Sequence, residues 1–293
     1  MRPIYEATVA QIDIAGACHL SCANCTRMIG HVRPGYFMTL DQVRTAIESL
    51  LDSPLRIGCM GGEPTLHPQF REILAIWREM IPDRRRREFW TSGLNWEEYK
   101  DDIRATFDDD LIAYNDHTQL DGKHQPLLVA VDEVVEDAAY RKELIDACPF
   151  QARWSPSIRP SGAFFCEIAG SLADLMGEKG WEVKPGWWNK KPEEFQDQVE
   201  KFCGKCSGCL PMEAQSDGRG GRDGPTVDLV SPGNLQMLLK AKSPKAMRGQ
   251  VQVFDRKITR EEIEAKRVGW EPRGFRSFVA HNPEDVKAAL AGN

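Results

Sequence analysis

The chain has no apolar run long enough to cross a bilayer, and its first residues, Met1-Arg2-Pro3-Ile4-Tyr5-Glu6, lack an apolar signal segment. A soluble, cytoplasmic protein is expected. Positive charge is not in excess: 38 Lys and Arg stand against 44 Asp and Glu, for a net charge of −6. Neither nucleic acid nor an anionic membrane surface is therefore an expected partner. No internal repeat or low-complexity tract interrupts the 293 residues, which leave room for one large domain or two modest ones. The four consecutive arginines, Arg84 to Arg87, fall between a helix and a strand and read as a solvated loop.

What the chain does have is cysteine, nine in all. In a reducing compartment that usage points to metal ligation before disulfides. Cys18, Cys22 and Cys25 form a CxxxCxxC run, a spacing that random placement would produce about 0.008 times in such a chain. Three thiolates on one short loop can hold three irons of a [4Fe–4S] cluster and leave the fourth open for chemistry, whereas a fully ligated cluster mostly moves electrons. A second run, Cys203, Cys206 and Cys209, with Cys166 upstream, supplies four thiolates, enough for one further [4Fe–4S] cluster. A four-thiolate zinc site is the alternative. Cys59, within a predicted strand, and Cys148, at the start of a loop, read as packed thiols.

Strand and helix patterns alternate over the first half. Strands are expected at 7–14, 55–60, 88–91, 111–114, 127–131 and 153–158. Asp41 is a candidate helix cap, followed by the stripe Val43, Ile47, Leu50 and Leu51. Phe70, Ile73, Leu74 and Trp77 mark a second helix, and Tyr140, Leu144 and Ile145 a later one. This alternation favours parallel βαβ units closing into a partial (β/α)6 TIM-type barrel over residues 1–160, with ligands at the C-terminal ends of the strands. Residues 161–293 are rich in Gly, Trp and Cys and mostly irregular, so a small α+β domain is expected there. It would include a strand-like Val251 to Phe254 and helices at 260–266 and 283–291.

The cysteine run after a first strand, followed by Gly61-Gly62-Glu63-Pro64 after the second, resembles the radical S-adenosylmethionine (SAM) superfamily. These motifs cover the first quarter of the chain. The resemblance implies that the open iron binds the methionine end of SAM and that one electron cleaves the sulfonium. The resulting 5′-deoxyadenosyl radical would take a hydrogen atom from a substrate. Gly61 and Gly62 would let the backbone approach the cofactor, and Glu63 would accept from its ammonium group. Ser92 would contact its ribose or methionine end. The residue before the third cysteine is commonly aromatic in this family; here it is Asn24, whose amide could bond the adenine edge but cannot stack. The layout of Cys166, Cys203, Cys206 and Cys209 is similar to the single-cluster C-terminal domain of such enzymes, called a twitch domain. If Cys166 closes that auxiliary cluster it would accept an electron from a substrate radical; if not, an open iron could hold the substrate.

Polar residues after the later strands supply the remaining candidates. His117 and Asp132 could take a proton from a substrate radical, and Arg159 could pair with a carboxylate or phosphate. Asn115, Asp116, Thr118, Asp121 and His124 lie in the same region. The expected activity is radical chemistry on a small polar metabolite of the sugar, aminocyclitol or nucleoside type. The single-extra-cluster layout is similar to that of an aminocyclitol dehydrogenase of the superfamily. An external donor such as flavodoxin or ferredoxin would supply electrons. A peptide maturase using the same radical, and a non-catalytic electron carrier or zinc-stabilised binding protein, are the competing readings.

Overall fold

The computed structural model describes residues 1–115, 123–216, 227–270 and 272. Strand β1 (Val9–Ala15) leads to helix α1 (Leu40–Glu48), β2 (Arg56–Gly61), α2 (Phe70–Met80), β3 (Arg87–Thr91), α3 (Trp96–Thr106) and β4 (Ile112–Tyr114). Two-residue β5 (Lys123–His124) precedes α4 (Val131–Val134), α5 (Ala138–Asp146) and α6 (Pro149–Arg153). The hairpin β6 (Ser157–Arg159) and β7 (Gly162–Phe164) follows, then α7 (Glu167–Met176), α8 (Gln196–Phe202), β8 (Gln215–Ser216) and β9 (Asp228–Val230). The described chain ends with α9 (Pro232–Lys240), α10 (Pro244–Met247), β10 (Val251–Val253) and α11 (Arg260–Arg267).

The main sheet has six strands in the order β4-β3-β2-β1-β6-β7, and all neighbours run parallel except the β6–β7 hairpin. The register places Ile112, Phe89, Cys59, Ile12 and Ile158 in one row across the sheet, each at most 1% exposed. Side chains alternate along a strand, so the adjacent row, with Ala113, Trp90, Met60 and Asp13, faces the other way. The first face is apolar and is packed by α1 and α2 through Val43, Ile47, Phe70, Ile73, Leu74 and Trp77. Cys59 lies there as a packed thiol, its pKa driven up by burial. The second face carries Gln11, Asp13, Glu88 and Arg159, and looks into the interior where the cysteine loop lies.

Two expectations about topology are corrected. Segment 127–131 is not a strand of the sheet: Leu128 forms only a parallel bridge to Val230, and Val131 begins α4. Its polar groups are taken from the C-terminal half, since the Ser231 and Ser207 amides donate to Leu128 and Leu127, and the Asn234 amide side chain donates to Leu128 O at 2.7 Å. The last predicted strand is shorter than 153–158, because α6 runs through Arg153, and it returns to the free edge of β1 rather than extending past β4. The β6–β7 hairpin crosses position 160, and one apolar core takes residues from Ile4 to Ala246.

Local chemistry explains two further differences. Helix α1 is capped by Thr39, which forms a reciprocal capping box with Gln42; Asp41 sits in the first turn, where its charge suits the helix dipole. The arginine run is not a solvated loop. Arg84 donates to the carbonyls of Arg104, Ala105 and Phe107, and Arg86 to those of Leu50, Leu51, Ser53 and Leu55. Arg87, 5% exposed, donates to Arg78, Ile81, Pro82 and Thr106. Three helix C-termini thus have carbonyls that the helices themselves leave unpaired satisfied by the guanidinium groups of Arg84, Arg86 and Arg87.

Arg87→Met should therefore cost about 2 kcal/mol by stranding buried carbonyls. Arg85→Met, which removes only contacts to the half-exposed Asp108 and Asp110, should leave the urea midpoint where it is. Equal midpoints for both variants would refute this division.

Candidate functional site

The first cysteine loop leaves β1 at Ala15 and returns along it, with Gly16 N donating to Tyr36 O at 2.8 Å and Met38 N to Ile14 O at 2.9 Å. The glycine turn after β2 is tied to the loop's start: Gly62 N donates to Ala15 O at 2.7 Å and Glu63 N to Ala17 O at 2.8 Å. A Cβ on Gly61 would meet Ala15 O at 2.5 Å, and one on Gly62 would meet Ala17 O at 2.3 Å. The glycines are thus demanded first by the backbone of the cysteine loop. Both motifs lie at the C-terminal ends of adjacent parallel strands, where ligands collect in such sheets.

Cys18, Cys22 and Cys25 are all partly exposed on this loop. Leu20 N donates to Cys18 Sγ at 3.4 Å, an interaction that favours thiolate. Burial nonetheless pushes the Cys18 thiol up to about 12, with repulsion from Cys25 and Glu63 adding to it. A metal would have to displace that proton on binding.

The loop makes little secondary structure of its own; groups elsewhere in the chain satisfy it. Cys22 O accepts from Lys245 Nζ at 3.0 Å, Ala23 O is 2.8 Å from His124 Nδ1, and Thr26 O accepts from Ser171 Oγ at 2.8 Å. Asn24 is 3% exposed; its backbone N–H donates to Asp228, its Oδ1 accepts from Leu229 N, and its Nδ2 donates to Gln215. Its amide is spent on this docking, so it is not presented to an adenine edge. Burial pushes the Asp228 carboxyl up, but His31 and Lys245 outweigh that and hold it below the usual carboxylate range.

Glu63 is completely buried. Its Oε1 accepts from Thr65 N, Thr65 Oγ1 and Thr91 Oγ1, and its Oε2 from Thr91 Oγ1, Ser92 N and Ser92 Oγ, the last at 2.5 Å. Glu63 and Ser92 are brought together, but with each other as partners: the carboxylate ties the glycine turn to the end of β3.

The candidates for proton transfer are dispersed. His117, with Asp116, Thr118 and Asp121, lies outside the described residues. Asp132 is a correction: its side chain is 59% exposed on α4, 3.4 Å from Arg141. Arg159 is likewise not free to clamp a substrate anion. It is 3% exposed and lies 2.8 Å from Asp13, 2.7 Å from Asp174 and 2.7 Å from Ser171. Arg27 joins the same network through Asp13 and Glu167. An arginine on the polar face of a buried strand needs such partners, because an uncompensated charge there is costly. A small recess opens between this network, Tyr36 and the Gly61-Gly62 turn.

The second cysteine set lines an apolar pocket together with Phe150, Phe165, Leu172 and Phe202. It holds Cys166, Cys203, Cys206 and Cys209 as expected, and also Cys148. Cys148 begins α6 one turn before the hairpin; its distance in sequence and the absence of a CxxC partner hid it. Burial pushes all five thiols up, Cys166 to about 12, and repulsion from neighbouring cysteines adds to it for Cys166, Cys203, Cys206 and Cys209. Gly208 N donates to Cys206 Sγ at 3.2 Å. Among the described residues, no three His, Cys, Asp or Glu side chains stand close enough together to hold a single metal ion.

No family model matches the chain, and no curated protein matches it. Two solved structures of BtrN are similar in part. The selenomethionine form in an open conformation is 16% identical, with a TM-score of 0.41 over 69% of this chain and 88% of that one. The complex with AdoMet and 2-DOIA is 15% identical, with a TM-score of 0.41 over 68% of this chain and 88% of that one. At this level of similarity no function transfers. Among the described residues no helix is long and apolar enough to cross a membrane.

Glu63→Gln should destabilise the turn by about 2 kcal/mol, because either orientation of the amide sets an NH2 group against a backbone N–H, that of Thr65 or that of Ser92. Chemical denaturation measures this, and a midpoint unmoved from the parent's would show that the carboxylate is not the tie.

Proposed function

We propose that the chain is a radical SAM enzyme acting on a small polar metabolite, with an auxiliary cluster assisting a net oxidation. One observation carries the reading: the CxxxCxxC loop and the Gly-Gly-Glu turn, 36 positions apart from Cys25 to Gly61, are hydrogen-bonded to each other at the C-terminal edge of a parallel sheet. A non-catalytic carrier or a zinc-stabilised binding protein has no use for that pairing.

When bound, a [4Fe–4S] cluster with one open iron would supply the electron that cleaves SAM into methionine and the 5′-deoxyadenosyl radical. The chain's own residues would then act as follows. Cys18, Cys22 and Cys25 hold three corners and leave the fourth vacant. Gly61 and Gly62 let the turn close on the backbone of the cysteine loop. Glu63 and Ser92 fix the turn through their mutual hydrogen bonds. The recess beside Tyr36 and the Gly61-Gly62 turn lies over Asp13, Arg159 and Asp174, whose charges are paired with one another. Cys148, Cys166, Cys203, Cys206 and Cys209 offer one thiol more than a closed cluster requires. That surplus favours a fully ligated auxiliary cluster, which takes an electron instead of binding substrate. Electrons would come from a small carrier such as flavodoxin or ferredoxin, in the cytoplasm.

Anaerobically reconstituted protein with dithionite and SAM should release 5′-deoxyadenosine. Cys22→Ala should abolish that release, whereas Cys206→Ala should depress oxidised product more than SAM cleavage. Folded, iron-loaded protein that yields no deoxyadenosine above background would refute the radical reading; equal losses in both assays would remove the division of labour between clusters.

A further inference from the structure

The contact between Lys245 and the first cysteine loop is not explained by the motifs. Lys245 is 1% exposed, and its ammonium lies 3.0 Å from Cys22 O and 2.6 Å from Asp228 Oδ2. The same Asp228 oxygen is 2.7 Å from His31 Nε2, while the other takes the Asn24 amide. His31 Nδ1 is 2.7 Å from Ser243 Oγ, the hydroxyl that caps α10. One carboxylate thus gathers three points of the loop: Asn24 and His31 directly, and Cys22 through the lysine.

Stability alone is a poor reason for this arrangement. A buried ion pair can often be replaced by apolar residues without loss, because desolvation cancels most of the attraction. What it does supply is direction: a charged donor selects one carbonyl orientation. The loop is also cut to fit the lysine. A Cβ on Gly30 would lie 2.4 Å from Lys245 Cδ and 3.0 Å from its Cγ, so only glycine lets the stem pass. Ser21 Oγ stands 3.0 Å from that Cβ position on the loop side. Ligand orientation in metal sites commonly depends on hydrogen bonds to groups behind the ligands.

We propose that Lys245, aligned by Asp228 and His31, is a positioning residue for the cysteine loop: it fixes the Cys22 carbonyl and thereby the direction in which the Cys22 thiolate meets the cluster. The C-terminal segment is in this way a built part of the SAM-cleaving site, contributing orientation without contributing a ligand. This rests on the cluster reading of Cys18, Cys22 and Cys25 given above.

The test compares the reconstituted full chain with the double variant Lys245→Met/Asp228→Asn, which removes both buried charges together and strands neither. SAM perturbs only a cluster with an open iron, so the SAM-induced change in the electron paramagnetic resonance spectrum of reduced protein reports on this cluster alone. The double variant should keep the parent's circular dichroism and its SAM-insensitive signal. Its SAM-induced signal should shift, and iron release from this cluster to a ferrous chelator should quicken about tenfold. Gly30→Ala, which keeps every charge but displaces the lysine stem, should change the SAM-induced signal in the same direction and decides the matter if the double variant fails to fold. A parent-like signal and release rate in the folded variant would overturn the proposal. A parent chain that holds no more iron than Cys22→Ala would instead overturn the cluster reading itself.

Discussion

A loop that must keep three thiols available cannot also fold them into a core, and a loop with little secondary structure must still satisfy its backbone. In this chain the burden falls on groups far away in sequence. Asp228, Lys245, His124 and Ser171 take up the amides and carbonyls of residues 22–26, and His31 closes the arrangement on the same carboxylate as Lys245. Everything else in the architecture serves this meeting. The β6–β7 hairpin turns the chain back to β1, α7 follows over the polar face, and the two-stranded β9–β10 sheet presents Asp228 to the loop.

The sheet has two unlike faces, and the difference places the site. One row of side chains is apolar and excludes water against α1 and α2. The other carries charges that are tolerable only in company: Asp13 between Arg27 and Arg159, Glu88 beside Arg56. Paired in this way, the charges form a stiff polar floor under the Gly61-Gly62 turn. An arginine that looks from sequence like a substrate clamp is thereby a wall, and its removal would leave Asp13 and Asp174 short of a partner.

The two cysteine sets differ in the same physical terms. The first lies at the sheet edge, with glycine against it. The second lies in a pocket lined by phenylalanines, away from the glycine turn. Five thiols around the second make an external ligand unnecessary.

Patterns local in the chain were legible from the sequence itself. Spacing marked both cysteine runs, period-2 and period-3.6 patterns placed β1 to β4, α1 and α2, and Gly61-Gly62 was readable because a turn needs particular residue types at adjacent positions. Partnership was not legible, because a side chain's sequence does not say which distant group will reach it. Tertiary structure alone brought Cys148 to the second pocket, tied Arg159 to Asp13 and Asp174, left Asp132 on the surface and closed Glu63 on Ser92. It also turned three of the four arginines into helix clasps and took 127–131 out of the sheet, since buried carbonyls and charges accept whichever partner the folded chain delivers within hydrogen-bond reach.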